Sequence, residues 1–320
     1  MDHQNLSAFQ SFALLFERLS PLFLLLAIGF FAARVLKVTR ESLAKLVIYI
    51  ISPIVFFEIL VRSPFNAKLF ALPFAYAGLC SLLGILTYNI SKKFFRSPMR
   101  NLLSYAGASA NTGYFGIPAT AILLGEDKLA TAIFVIIGYN LYEYTTGFYI
   151  AAKGTYDSKE ALKKVLTLPS LWMFFLSMIF SALGFNKIPE NLQPIIMGFR
   201  GTYSTLGLMM IGLGLGSIKS FRLHFRFIAT CLLIKLVAFP LFAIGFIYLD
   251  RYTLGFLNRE LTEILLLMSL VPMAANGVAI ATELKIPSDE IALTITLSTM
   301  ISLIWIPLSW TTWVPLILGN

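Results

Sequence analysis

From about residue 20 to the C-terminus, apolar runs long enough to cross a bilayer follow one another, separated only by short charged or Pro/Gly-bearing stretches. A hydrocarbon core needs ~20 apolar residues per spanning helix, and inside it every backbone polar group must be bonded within the protein. Transmembrane barrels alternate apolar and polar residues, and these runs do not. The chain reads as an all-α polytopic membrane protein with ten spans, at 20–36, 43–61, 69–91, 102–124, 129–152, 165–184, 192–217, 224–249, 262–284 and 290–314. Residues 1–19 read as an N-terminal tail.

The formal charge of +9 sits mostly between the spans, where Lys and Arg orient a chain in the membrane. That placement argues against nucleic acid as a partner and for the lipid bilayer. The odd-numbered loops hold 16 Lys and Arg against 7 in the even-numbered loops and the termini. The expected topology is therefore multi-pass with both termini outside, in a plasma membrane of the bacterial inner-membrane kind. Cys80 and Cys231 lie in apolar runs and form no metal or disulfide pattern. The only histidines, His3 and His224, lie away from mid-membrane, which argues against zinc or haem chemistry and against an enzyme. No cofactor or metal is expected.

The loop "KGTYDSKEALKK" at 153–164, as long as any other between spans, separates five spans from five. An odd number per half inverts the second half, which is the 5+5 inverted repeat of many secondary transporters. On this reading 20–152 and 165–320 are the two repeats and 153–164 is a cytoplasmic linker. Span 4 contains "SANTGYFGIPAT" and span 9 contains "VPMAANGVA"; Asn111 and Asn276 are 165 residues apart, each in the fourth span of its half. Interrupted helices in corresponding positions point to a transporter's binding site. Asn111, Thr112 and Gly113 are expected to end one half-helix. Pro118 suits the first turn of the next, and Asn276 with Gly277 forms the matching break. Free N–H groups at a half-helix start favour an anion such as a carboxylate.

Charge inside a span is costly and usually functional, and among the ionisable residues within spans two stand out. Glu143, in "YNLYEYTTG", is expected either to carry a proton for coupled transport or to pair with Lys235 of "CLLIKLVAFP". Lys235 is alternatively a counter-charge to a bound anion. Every aspartate (Asp2, Asp127, Asp157, Asp250, Asp289) reads as loop or tail. Glu58 and Glu283 read as helix-end charges, and Arg200 as a snorkelling anchor. Gly207, Gly212, Gly214 and Gly216 read as a close-packing or dimer face.

"NTGYFGIP" in span 4, "LPSLW…IPENLQP…LGLMMIGLGLGSI" across spans 6 and 7, and "AIATEL" in span 9 resemble the auxin efflux carrier (PIN-like) family, most closely its short-loop, prokaryotic-type members. The crossover proline of plant members is absent after Asn276–Gly277. The resemblance implies a dimerising scaffold (20–62 with 165–217) and a mobile transport domain (68–152 with 224–314) in which helices 4 and 9 cross. It further implies export of small organic anions, mono- or dicarboxylates of the malate or malonate kind, by elevator-type movement. A sodium-coupled organic-anion symporter like the bile-acid carriers, and a membrane sensor that binds without transporting, are the alternatives.

Overall fold

The structure, a computed structural model, describes residues 8–62, 67–152, 166–167, 169–217, 224–278, 281 and 288–319. The expected linker 153–164 and Glu283 lie outside these residues. Every regular element among the described residues is helical.

Helices α1 (Ala8–Leu19) and α2 (Pro21–Arg34) are separated by one residue, and Phe9–Arg34 as a whole is long and apolar enough to cross a membrane. Most of the segment expected as a tail is therefore helix. The reason is its amphipathic stretch "AFQSFALLFERL", which packs against the last long helix and against the second half of span 4.

Span 2 is α3 (Arg40–Leu46) and α4 (Ser52–Val61), span 3 is α5 (Ala67–Ser91), and span 5 is α8 (Leu129–Tyr142) and α9 (Phe148–Ala151). Span 6 is α10 (Pro169–Ala182), span 7 is α11 (Gln193–Gly216), and span 8 is α12 (Phe225–Leu233) and α13 (Phe239–Tyr252). Span 10 is α15 (Ser288–Thr312), with α16 (Val314–Leu318) after it. Spans 4 and 9 are broken: α6 (Met99–Gly107) and α7 (Gly116–Leu123) flank one break, and α14 (Arg259–Leu270) precedes the other. Among the described residues, five stretches suffice by length and composition to cross a membrane, corresponding to the expected spans 1, 2, 3, 8 and 10. Half-helices of 9, 8 and 12 residues cannot do so alone.

Among the described residues three spans contain a π-helical turn: Val47–Ile51 between α3 and α4, Glu143–Gly147 between α8 and α9, and Ile234–Ala238 between α12 and α13. In two of them the cause is a proline. Pro53 and Pro240 lack an N–H and their rings press on the carbonyl four residues back, at Tyr49 and Leu236, inside the widened turn. In the third, a β-carbon on Gly147 would lie 3.0 Å from the Tyr142 carbonyl oxygen, so glycine permits that turn to tighten against itself.

The helices pack in two neighbourhoods. In one, α2 lies along α11 and α4 along α10 and α11; in the other, α5 lies along α8, α13 along α14, and α12 along α15 and α6. The α2–α11 contact is close because of glycine. A β-carbon on Gly212 would fall within bonding distance of the Leu26 carbonyl oxygen and 2.7 Å from the Phe30 nitrogen, and one on Gly29 would meet the Met209 backbone. Gly212 and Gly216 thus serve packing inside the chain. Gly212→Val should separate the two helices and destabilise the fold by ~1–3 kcal/mol or more, read as a lower unfolding midpoint in detergent; an unchanged midpoint would contradict this packing.

The aspartate expectation needs two corrections. Asp289 lies in the first turn of α15, where the helix dipole favours it. Asp250 lies in the last turn of α13, 4% exposed, and accepts backbone N–H bonds from Phe256 at 3.1 Å and Leu257 at 2.8 Å. It is buried because it caps the turn that leads into α14.

Candidate functional site

The two breaks meet. The Asn111 N–H donates to the Pro272 carbonyl at 2.7 Å, and the Ala274 N–H donates to Ser109 Oγ at 3.2 Å. As one partner's number rises by two, the other's falls by two, so the non-helical segments pass each other antiparallel. The Met273 N–H donates to Ser298 Oγ of α15 at 3.1 Å. These bonds answer the requirement that non-helical backbone at membrane depth find partners in protein. Ser109 and Ala274 are separated by 165 residues, as are Asn111 and Asn276.

The first half-helix ends at Gly107, four residues earlier than the Asn-Thr-Gly step suggests, because Ser109 and Asn111 are engaged in the crossing. A β-carbon on Gly107 would lie 2.6 Å from Ile234, so only glycine lets α6 abut the π turn of span 8. Pro118 sits in the first turn of α7, as expected. Gly277 resumes the helix after the second break.

A cavity of about 70 Å³ opens beside the crossing. Water needs ~10–15 Å³ measured this way, so the space takes several waters or a small solute. One wall is Asn111, Thr112, Gly113 and Asn276 of the two breaks; the other includes Ser52 and Phe56 of α4 and Tyr203 of α11; Tyr139 and Asn140 of α8 complete it. Asn111 Nδ2 and Thr112 Oγ1 are buried there without a hydrogen-bond partner. Asn111 is 4% exposed and Thr112 is 1% exposed. An unmet buried polar group costs ~1–3 kcal/mol. Two such groups stand beside one cavity.

Glu143 lies one bond behind the cavity. Its Oε2 accepts from Asn276 Nδ2 at 3.0 Å, and its Oε1 accepts from the hydroxyls of Tyr105 at 2.8 Å and Tyr139 at 3.0 Å. The Tyr142 hydroxyl donates to the Tyr105 carbonyl at 3.1 Å, bracing the cluster. The expected Glu143–Lys235 pair is not formed. Lys235 Nζ is fully buried with no hydrogen-bond partner, 4.0 Å from the Phe239 ring centroid on its own helix. The lysine turns to that ring, while neutral hydroxyl and amide donors satisfy the carboxyl. Both residues occupy π turns, a distortion frequent at functional sites.

Of the expected site residues, Asn111, Thr112, Gly113 and Asn276 line the cavity, and Glu143 joins it through Asn276. Pro118 and Gly277 shape the half-helix starts without lining it, and Lys235 stands apart. Ser52, Phe56 and Tyr203 are wall residues with no sequence signal of their own. Glu58 and Arg200 are also corrected: Glu58 is 2% exposed, and Arg200 Nη2 donates to both its oxygens at 2.8 and 2.7 Å. A buried carboxylate, not lipid headgroups, holds that arginine.

Residues 14–168 match a family model described as Membrane transport protein. An uncharacterized transporter of Methanothermobacter thermautotrophicus is 30% identical over 215 residues, covering 64% of this chain and 66% of the relative. The matched region thus spans about two thirds of that relative's length. An uncharacterized transporter of Methanocaldococcus jannaschii is 25% identical over 299 residues, covering 88% of this chain and 94% of the relative. By these matches, and by the span 4 motif at the centre of the crossing, the chain belongs to the membrane transport protein family, that of the PIN-like auxin efflux carriers.

Proposed function

We propose that the protein is a secondary carrier that exports small organic anions, mono- or dicarboxylates, bound at the crossing of helices 4 and 9. The observation that carries this reading is the small cavity with the unpartnered side chains of Asn111 and Thr112 on its wall. An amide N–H and a hydroxyl are donors suited to a carboxylate. Asn276 presents a third polar group and links the cavity to Glu143.

The shared offset of 165 residues, at the Asn111/Asn276 pair and at the hydrogen-bonded Ser109/Ala274 pair, supports a 5+5 inverted repeat with its pseudo-axis through the crossing. The two packing neighbourhoods support a scaffold of spans 1, 2, 6 and 7 and a moving domain of spans 3–5 and 8–10. The cavity has walls from both, so sliding one against the other would expose it to each side in turn. A homodimer formed through the scaffold, a plasma-membrane location and outside termini complete the proposal.

Glu143 is the proposed proton carrier. An anion in the cavity and a carboxylate at Glu143 would be two negative charges separated only by Asn276 and Tyr139, which line the cavity and bond the carboxyl; a proton on Glu143 removes one of them. Lys235, buried against the Phe239 ring with no hydrogen-bond partner, is the proposed second ionisable group of the moving domain.

Flux of labelled organic acids into proteoliposomes, with and without a pH gradient, tests the reading. The expected result is acid flux that responds to the gradient and is indifferent to sodium, with Glu143→Gln abolishing the response. Flux strictly dependent on sodium would move the protein to the bile-acid-carrier type of mechanism. A purified protein that binds acids and never moves them would make it a sensor.

A further inference from the structure

One face of α11 meets span 4 and the turn after it at three successive points. Gly207 receives the Tyr114 ring, which a β-carbon there would overlap. The Tyr203 hydroxyl sits 2.5 Å from where a β-carbon on Gly113 would be, and its ring lies 5.4 Å from that of Tyr114. One turn further on, Arg200 Nη1 donates to Glu126 Oε2 at 3.0 Å, on the turn that links α7 to α8. Residues 200, 203 and 207 fall on one helix face.

The two grips of Arg200 are unequal. Towards α4 its Nη2 meets both oxygens of buried Glu58, which Arg62 also contacts at 3.1 Å. Towards span 4 it makes one contact with Glu126, whose side chain is 74% exposed. A pair with a buried carboxylate is hard to break, and a pair with an exposed one is easily exchanged for water. Arg200 is therefore fixed to one neighbourhood and lightly fastened to the other. It lies above Tyr203, the wall that α11 lends to the cavity.

We propose that Arg200 is the gating residue of the site: anchored by Glu58, it closes the cavity on its own side by holding Glu126, and it releases Glu126 when spans 4 and 5 move. This inference rests on the reading of those spans as mobile. Arg200 is a positioning residue that acts through Glu126 and touches no solute.

The test uses the full chain in liposomes, with Ser52→Cys as a reporter on the cavity wall and the two native cysteines, both buried, setting the background. An impermeant maleimide is added to one membrane face at a time. Glu126→Ala should raise labelling from the Arg200 side about two- to five-fold, the equilibrium shift expected of an exposed ion pair, without raising labelling from the opposite side. Glu126→Asp should restore the parent rate. Equal rates in Glu126→Ala and parent, or a rise from both faces, would overturn the proposal. A wild-type chain that carries no organic acid, with the one-sided labelling change intact, would sink the transport reading and leave the bridge standing.

Discussion

Asn111→Ala should reduce organic-acid flux tenfold or more while leaving the protein as stable as before. The amide it removes makes no hydrogen bond through Nδ2, so the fold loses none there. A hydrogen bond to a charged solute is worth ~1.5–3 kcal/mol, about one to two powers of ten in binding. Asn276→Ala should behave differently. It deprives Glu143 Oε2 of the donor at 3.0 Å, and a buried oxygen left short costs ~1–3 kcal/mol. That variant should lose flux and lower the unfolding midpoint together. The pair of midpoints thus separates a residue kept for the ligand from one that also supports the site. Flux unchanged in both variants would place the substrate elsewhere.

Arg200→Ala should be the most destabilising polar substitution at this site. Glu58 would keep only Arg62, whose side chain is 42% exposed. Breaking a buried pair from one side costs up to ~3–5 kcal/mol, because the buried charge is then compensated only by one partly exposed partner. The second substitution makes the argument specific: adding Glu58→Gln to Arg200→Ala removes the stranded charge and should return much of the lost stability. Thermal unfolding of the two variants in detergent measures the difference. A double variant no more stable than Arg200→Ala would mean that packing, not the charge, sets the cost.

The breaks in spans 4 and 9 are legible in the sequence because Asn, Gly and Pro interrupt runs that are otherwise uniformly apolar. Four cavity residues follow from them. What the sequence withholds is partnership across distance. Glu143 and Lys235 have opposite charges at mid-span, and charge alone suggests a pair; three neutral donors from Tyr105, Tyr139 and Asn276 prevail because they already surround the carboxyl. Glu58 and Arg200 are 142 residues apart and lie near span ends, where a charge ordinarily reaches water or headgroups. Ser52 and Tyr203 are common residues in spans 2 and 7, and only the packing of α4 and α11 against the crossing turns them into a wall. Residues 8–19 mislead for the opposite reason: the segment is polar enough to pass for a tail, yet its apolar residues share one helix face.

The three π turns carry a consequence for how this sequence can vary. Each holds one more residue than an ordinary helical turn, so deleting a single residue from any of them restores a regular helix without breaking the span. It also rotates everything beyond it by about 100°. At Glu143–Gly147 such a deletion would carry the carboxyl, or the residues after it, off the Tyr105–Asn276 cluster; at Ile234–Ala238 it would swing Lys235 relative to Phe239. A change invisible to hydropathy, length of span or charge count would then disconnect the site. Relatives differing by one residue at these turns should therefore differ in what they carry or in what drives it, while sharing the same bundle.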